Sequence, residues 1–175
     1  MSYIILALLF MISGFFMKYS DDLYDIKHNL SHASIFGVVC GIASGVASIY
    51  SFEAAYIFLA ILIGTFLAFK IDGIHHLITL IVFIVILLIG GIPHLDMVVL
   101  LICSLAAMLD EVGHELISKF TQNKFLNLFF EYRFVMKIII ILLAIGGVFN
   151  IWLFFCFMLF EASYLFGGMF FESLN

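Results

Sequence analysis

A polar segment, Lys18-Tyr-Ser-Asp-Asp-Leu-Tyr-Asp-Ile-Lys-His-Asn29, interrupts a chain of 175 residues that is otherwise two-thirds hydrophobic. It holds three carboxylates, one imidazole and two ammonium groups. Asp22, Asp25 and Asn29 are spaced by three and four residues, so their side chains share one face if the first helix continues past the membrane. Oxygen ligands of this kind suit Mg²⁺, which completes its octahedron with water and phosphate oxygens. The segment predicts a divalent-cation site, with a solvated loop after a membrane helix as the alternative.

The composition around this segment is that of a polytopic membrane protein. Hydrophobic residues make up 66% of the chain and charged residues 11%, and the mean hydropathy is +1.29. Because about 20 apolar residues cross a bilayer, we expect an all-α transmembrane helical bundle that forms a single domain over residues 1–175. The apolar runs predict seven spans, near residues 3–20, 33–51, 53–70, 75–92, 95–112, 134–150 and 151–170. Six spans are the alternative, since only Asn150 separates the last two runs.

Two other features of the apolar runs concern packing and partners. Gly37, Gly41 and Gly45 form a small-residue stripe that allows another helix to approach closely. The three cysteines lie inside apolar runs without a CxxC spacing, so neither a disulfide framework nor a zinc knuckle is predicted. No basic run is long enough to attract nucleic acid, and nucleic-acid binding is not expected.

The basic residues predict the orientation of the spans. With seven spans, every Lys and Arg falls on or just inside one face of the membrane, and the positive-inside rule makes that face cytoplasmic. These residues are Lys18, Lys27, Lys70, Lys119, Lys124, Arg133 and Lys137. We therefore expect an integral, multi-pass membrane protein.

Acids and histidines gather on the same predicted face, where three spans each carry an acid-x-x-His step. The steps are Asp25 to His28, Asp72 to His75, and Glu111 to His114. On a helix this spacing puts both side chains on one face. The three steps together predict the lining of a polar cavity, while the ordinary composition of short interfacial loops is the alternative.

Two further segments carry polar groups near the apolar runs. Residues 118–132 mix polar and aromatic side chains, which predicts an interfacial helix over the mouth of the cavity. Glu161 lies near the middle of the last predicted span, where an acid is costly and is a functional candidate by default. The alternative for Glu161 is a protonated or hydrogen-bonded acid that packs against a neighbouring helix.

The order of these features resembles the UbiA superfamily of intramembrane prenyltransferases. Those proteins carry an NDxxDxxxD motif at the cytoplasmic end of one helix and a second aspartate-rich motif, often ending DVEGD, two helix pairs later. The segment Asp21-Asp22-Leu-Tyr-Asp25-Ile-Lys-His-Asn29 is similar to the first motif, with Asp21 in the Asn place and Asn29 in the last Asp place. The segment Leu109-Asp110-Glu-Val-Gly-His114-Glu115 is similar to the end of the second, with His114 in the final Asp place.

The resemblance covers about residues 8–116 and implies transfer of a prenyl group from a prenyl diphosphate to an acceptor, with Mg²⁺ bridging the aspartates and the diphosphate. The catalytic candidates are Asp22, Asp25, Asp110 and Lys70. The candidates for binding the cofactor and diphosphate are Asp21, Asn29, Asp72 and His75. The candidate metal ligands are Asp22, Asp25, Asp110, Glu111 and His114. Both motifs lack their last Asp, and a degenerate relative can bind a lipid diphosphate without turning it over.

The residues also leave other functions open. A transporter or channel for divalent cations or protons would use the same acids and histidines together with Glu161. A metal-dependent lipid hydrolase or oxidase would use the step from Glu111 to His114. A small non-catalytic subunit of a membrane complex is the fourth possibility. The expected partners are the bilayer and a lipid or isoprenoid diphosphate, and the sequence specifies neither the acceptor nor the oligomeric state.

Overall fold

The chain folds into helices joined by short turns, as its apolar runs predict. The structure, a computed structural model, describes residues 2–70 and 73–174. Within these ranges it has no strand and contains the helices α1 (Tyr3–Asp25), α2 (Leu30–Tyr50), α3 (Phe52–Leu67), α4 (Ile74–Gly90), α5 (Met97–Phe120), α6 (Lys124–Glu131), α7 (Phe134–Ile145) and α8 (Ile151–Ser173). The prediction of an all-α helical bundle is confirmed.

In the part of the chain that the structure describes, four helices are long and apolar enough to cross a bilayer, namely α1, α2, α5 as far as Ile117, and α8. The apolar helices α3, α4 and α7 are shorter, with 16, 17 and 12 residues. At about 1.5 Å per residue α7 is roughly 18 Å long, whereas the hydrocarbon core is about 30 Å thick. The protein is an integral membrane protein, but the predicted count of seven spans is not confirmed. The predicted span 134–150 ends early because a turn with Gly147 at φ +75° follows α7.

The helices group into two compact units. Unit 1 comprises Met1–Ala55, Asp72–Pro93 and Phe155–Asn175, and unit 2 comprises Tyr56–Ile71 and His94–Phe154. The single transmembrane domain over residues 1–175 stays a prediction.

Glycines bring the helices of unit 1 into backbone contact. The predicted small-residue stripe on α2 faces α4, and its members are Gly37, Gly41 and Gly45. A Cβ atom added to Gly41 would lie 2.7 Å from the carbonyl oxygen of Thr79. On α1, a Cβ atom added to Gly14 would collide with the carbonyl group of Phe160 in α8. The packing role predicted for the stripe is confirmed, and such close approach is how helices associate in a membrane.

Helix α1 ends at Asp25 in a turn that reverses the chain. His28 has the left-handed conformation, with φ +52°. The N–H groups of His28 and Asn29 donate to the carbonyl oxygens of Tyr24 at 3.1 Å and Leu23 at 3.0 Å. These two bonds satisfy carbonyl groups that the end of the helix would otherwise leave unpaired.

Asn29 belongs to the next helix, because it is the N-cap of α2. Its Oδ1 accepts a hydrogen bond from the backbone N–H of His32 at 3.1 Å. The prediction that Asn29 shares a helix face with Asp22 and Asp25 is therefore wrong, since α1 does not continue that far. The same turn places His28 outside α1, so the step from Asp25 to His28 does not lie on a helix.

Unit 2 is built on α5, which packs against α6 and α7. A Cβ atom added to Gly64 of α3 would lie 2.7 Å from the backbone nitrogen of Met108, and one added to Gly113 would collide with the ring of Phe130 in α6. Residues 118–132, predicted as one interfacial helix, are divided in the structure: α5 continues to Phe120, and Lys124–Glu131 form α6, in which no residue is buried. Its position at the membrane interface stays a prediction.

Candidate functional site

The last turns of α1 carry a group of charged side chains. Asp22 is 7% exposed, and its Oδ1 accepts a hydrogen bond from Lys18 Nζ at 2.7 Å. Asp21 is half-buried, and Asp25 is exposed at the end of the helix. Three carboxylates and the ammonium group of Lys18 therefore lie at the end of unit 1 where α1 finishes.

Asp21 lies beside two histidines of α4. Its Oδ1 is 3.4 Å from Nε2 of His75 and 3.8 Å from Nδ1 of His76. The three side chains offer ligand atoms that all lie within 4.8 Å of one another, so the cluster can hold a metal ion. Within residues 2–70 and 73–174, no other group of three such side chains comes as close.

The start of α4 positions the two histidines. Gly73 is the N-cap of α4 with extended backbone, at φ −111° and ψ 146°, so His75 and His76 fall in the first turn of the helix. A Cβ atom at position 73 would collide with the imidazole ring of His75, and glycine removes this obstacle. On α1, the ring centroid of Tyr24 lies 4.4 Å from that of His75, and the two ring planes make an angle of 32°. His75 is 2% exposed and fixed between these neighbours, whereas His76 is partly open.

Asn29, another predicted residue of this region, is not brought into the cluster. Asn29 Oδ1 caps α2 and lies 3.0 Å from Nδ1 of His32. Asp72 lies outside the described residues. Their assignment to a diphosphate or cofactor stays a prediction.

In unit 2, Asp110 caps the start of α7. The residue is 2% exposed, and its two oxygens accept hydrogen bonds from the N–H groups of Val135 at 3.0 Å and Met136 at 2.7 Å. The N-cap position of α7 is occupied by Arg133, which has φ +49° and makes no side-chain cap. Asp110 thus supplies from another helix the acceptor that α7 lacks, and its charge suits a helix N-terminus.

Glu111 and His114 are both on α5, three residues apart, so this acid-x-x-His step lies on one helix. Glu111 Oε1 is 3.0 Å from Nη2 of Arg133, and both side chains are largely buried. His114 Nδ1 is 3.7 Å from Oε2 of Glu131 in α6. These contacts join α5 to α6 and to the residue before α7. The assignment of Asp110, Glu111 and His114 as metal ligands stays a prediction.

Lys70 is paired within unit 2. Its Nζ is 2.9 Å from Oε2 of Glu115, whose Oε1 is 3.3 Å from Nζ of Lys119. A substrate phosphate would therefore compete with the Glu115 carboxylate for the ammonium group of Lys70. In unit 1 the ammonium group of Lys18 is bonded to Asp22.

The residue-by-residue assignment from sequence missed Lys18 and His76. Lys18 precedes Asp22 by four residues, which on a helix brings the two side chains together. His76 follows His75 directly at the start of an apolar run. Both signals were present in the sequence, but only the packing of α4 against α1 identifies Asp21 as the acid that the histidine pair meets.

Aromatic rings surround α1 in the turns that precede its acids. Phe15 stacks on Tyr19 with ring centroids 5.8 Å apart, and Phe16 stacks on Phe36 of α2 at 5.3 Å. Phe171 of α8 meets Tyr19 edge to face at 5.6 Å. The charged end of unit 1 therefore adjoins an aromatic wall.

Comparison of the chain with protein-family models, with curated proteins and with solved structures returned no match.

Proposed function

We propose that this protein binds a lipid or isoprenoid diphosphate at the end of α1, through Mg²⁺ and the carboxylates of Asp22 and Asp25. The observation that carries the proposal is the hydrogen bond between Lys18 and Asp22 at 2.7 Å, beside two further acids at the end of an apolar helix. Prenyl transfer is the reaction that the resemblance to intramembrane prenyltransferases adds to this binding function.

The side chains at this end fit a magnesium diphosphate. Asp22 and Asp25 are three residues apart on α1, so their carboxylates share one face of the helix. Two carboxylates match the number that Mg²⁺ usually takes from a protein, which is one or two. Bound there, the ion would supply the positive charge that keeps carboxylates and diphosphate from repelling each other. Lys18 offers an ammonium group that donates directly to phosphate oxygens.

The aromatic wall supports transfer of a prenyl group as the chemistry. When an allylic diphosphate leaves, negative charge develops on its oxygens, and the ammonium group of Lys18 stabilises that charge. The remaining allylic cation must be shielded from water. The rings of Phe15, Tyr19 and Phe36 provide an apolar surface, and their faces favour a cation.

The test is Mg²⁺-dependent binding of a radiolabelled prenyl diphosphate to the purified protein. We expect Asp22→Asn and Asp25→Asn each to weaken binding at least about 10-fold, because each removes a charged oxygen ligand of the ion. The matched control is Asp96→Asn, since Asp96 caps α5 through Val98 and Val99 and asparagine caps a helix equally well. Binding that is absent from the wild type, or unaffected by both site variants, contradicts the proposal.

Glu161 favours transport as a second candidate function. It is a half-buried acid near the middle of the 23-residue apolar helix α8, where a carboxylate is costly and often marks an ion path. Flux of divalent cations into liposomes that contain the protein separates the two functions. Transport predicts flux that is lost in Glu161→Gln, whereas diphosphate binding predicts no flux and normal binding in that variant.

A further inference from the structure

The cluster of Asp21, His75 and His76 combines two imidazoles with one carboxylate at the junction of α1 and α4. We propose that these three side chains bind a divalent d-block metal ion, of which Zn²⁺ is the first to test. The proposal goes beyond the proposed function, because it uses other ligands and another class of ion than the diphosphate site.

The state of His75 is the strongest reason for an ion at this place. The side chain is 2% exposed, yet neither ring nitrogen has a hydrogen-bond partner among the residues that the structure describes. Buried polar atoms nearly always have a partner, since leaving one unsatisfied costs free energy. Nε2 lies on the side of the cluster, 3.4 Å from Oδ1 of Asp21. A metal ion bonded to Nε2 would satisfy this nitrogen.

The distances suit one ion between three ligands. A tetrahedral Zn²⁺ ion lies about 2.0–2.1 Å from its nitrogen and oxygen ligands, which puts the ligand atoms about 3.3 Å apart. Oδ1 of Asp21 is 3.4 Å from Nε2 of His75 and 3.8 Å from Nδ1 of His76, and all three ligand atoms lie within 4.8 Å of one another. Closing the set around Zn²⁺ requires a shift of up to roughly 1.5 Å, from 4.8 Å to about 3.3 Å between the most distant ligand atoms. His76 can make that shift because its side chain is 32% exposed.

The ligand types select the class of ion. Imidazole suits zinc, iron, copper and nickel, and the combination of two histidines with one carboxylate is a known set for iron and zinc. Mg²⁺ and Ca²⁺ prefer oxygen ligands throughout. Three protein ligands leave at least one coordination position for water or an anionic group, as in catalytic zinc sites. The partial exposure of Asp21 and His76 gives such a group access.

Rigid neighbours would hold the central ligand in place. Gly73 lets the backbone pass close to the His75 ring, and Tyr24 packs against it at 4.4 Å between ring centroids. A ligand whose position is fixed before binding loses little conformational freedom when the ion arrives. His75 would therefore anchor the ion, and the two more exposed side chains would complete its shell.

The experiment measures bound zinc in the full-length protein, purified in detergent through an affinity tag that contains no histidine. After dialysis against Zn²⁺ without Mg²⁺ or diphosphate, elemental analysis gives the ratio of zinc to protein. We expect about one ion per chain. His75→Gln, His76→Gln and Asp21→Asn should each weaken zinc binding about 100-fold or more, because each removes a ligand. Co²⁺ in place of Zn²⁺ should give a visible absorption spectrum that the same variants abolish.

The matched control is His32→Gln, which removes an exposed histidine outside the cluster and should keep the zinc content of the wild type. If His75→Gln does not fold, the zinc content of His76→Gln still tests the proposal. The His76 side chain is partly exposed, so its replacement should not prevent folding. A wild type without zinc, or variants that bind zinc as the control does, would overturn the proposal. The assay contains neither Mg²⁺ nor diphosphate, so its failure is distinct from failure of the proposed function.

Discussion

The carboxylate of Asp110 accepts a hydrogen bond from the backbone N–H of Met136 at 2.7 Å, so that a side chain of α5 caps the start of α7. An open helix start is expensive where little water can reach it. The central acid of the second motif-like segment therefore has a structural role in unit 2.

This cap can be tested by removing the carboxylate. We expect Asp110→Ala to lower the free energy of unfolding by about 2 kcal/mol or more, and Asp110→Asn by less, since asparagine keeps one acceptor. The measurement is unfolding of the purified protein in denaturing detergent, followed by circular dichroism in metal-free buffer. Asp96→Ala, which removes an exposed cap, serves for comparison and should cost about 1 kcal/mol. Wild-type stability of Asp110→Ala would contradict the cap.

The two candidate lysines should differ in diphosphate binding. Lys18→Gln removes the ammonium group beside the acids of α1. We expect it to weaken diphosphate binding about 10-fold or more, because one charge-assisted hydrogen bond to the ligand is lost. Lys70→Gln should leave binding nearly unchanged, because Lys70 pairs with Glu115 of α5, whereas Lys18 pairs with Asp22, one of the proposed Mg²⁺ ligands. The measurement is equilibrium binding of labelled prenyl diphosphate with Mg²⁺. If Lys70→Gln weakened diphosphate binding more than Lys18→Gln did, Lys70 and not Lys18 would be the phosphate ligand.

The number of spans can be decided by labelling single cysteines with a reagent that does not cross membranes. Seven spans with the basic face inside predict that Ser31→Cys, Phe69→Cys and Leu174→Cys are all protected in intact cells, while His94→Cys is labelled. If only the four long helices cross the membrane, residues 69 and 174 lie on the same side as His94, so Phe69→Cys and Leu174→Cys are labelled as well.

The labelling experiment has a low background. The native Cys40, Cys103 and Cys156 are buried, and each can be changed to serine as a control. Labelling of Phe69→Cys and Leu174→Cys together with His94→Cys would reject seven spans. Labelling of Ser31→Cys from outside would reject the predicted orientation of the charged end of α1.

The glycine contact between α2 and α4 should tolerate no side chain. Gly41→Ala places a Cβ atom 2.7 Å from the carbonyl oxygen of Thr79, so the helices must separate. We expect a loss of about 1–3 kcal/mol in the free energy of unfolding, measured in denaturing detergent. The control Gly146→Ala lies at φ −71° with its closest contact at 3.3 Å, and should change stability by less than about 0.5 kcal/mol. Equal stability of the two variants would argue against close packing at Gly41.

The sequence predicted most helices because apolar runs bounded by polar groups are a local signal. It also predicted the packing stripe on α2, since glycines spaced by four residues fall on one face. It did not predict the end of α1 at Asp25, because the turn uses His28 in the left-handed conformation, where a glycine would have been the usual signal. Asn29 is a common N-cap residue, and this local preference identifies the boundary in retrospect.

The contacts of the candidate site depend on tertiary structure. Nothing local marks Asp110 as the cap of a helix that begins more than twenty residues later, or pairs Asp21 with histidines more than fifty residues away. The spacing of acids on α1 suggested oxygen ligands for Mg²⁺, but only the approach of α4 brings in the imidazoles. Adding those ligands changes which ions the end of α1 can attract.

The contact between Gly14 and Phe160 joins the first helix of the chain to the last. During translation α1 reaches the membrane long before α8. The face of α1 that contacts α8 therefore stays uncovered while α2 to α7 are synthesised. Lys18 shares that face, because a Cβ atom added to Gly168 would lie 3.0 Å from its Cε. The charged end of α1 therefore acquires its final surroundings only after translation is nearly complete.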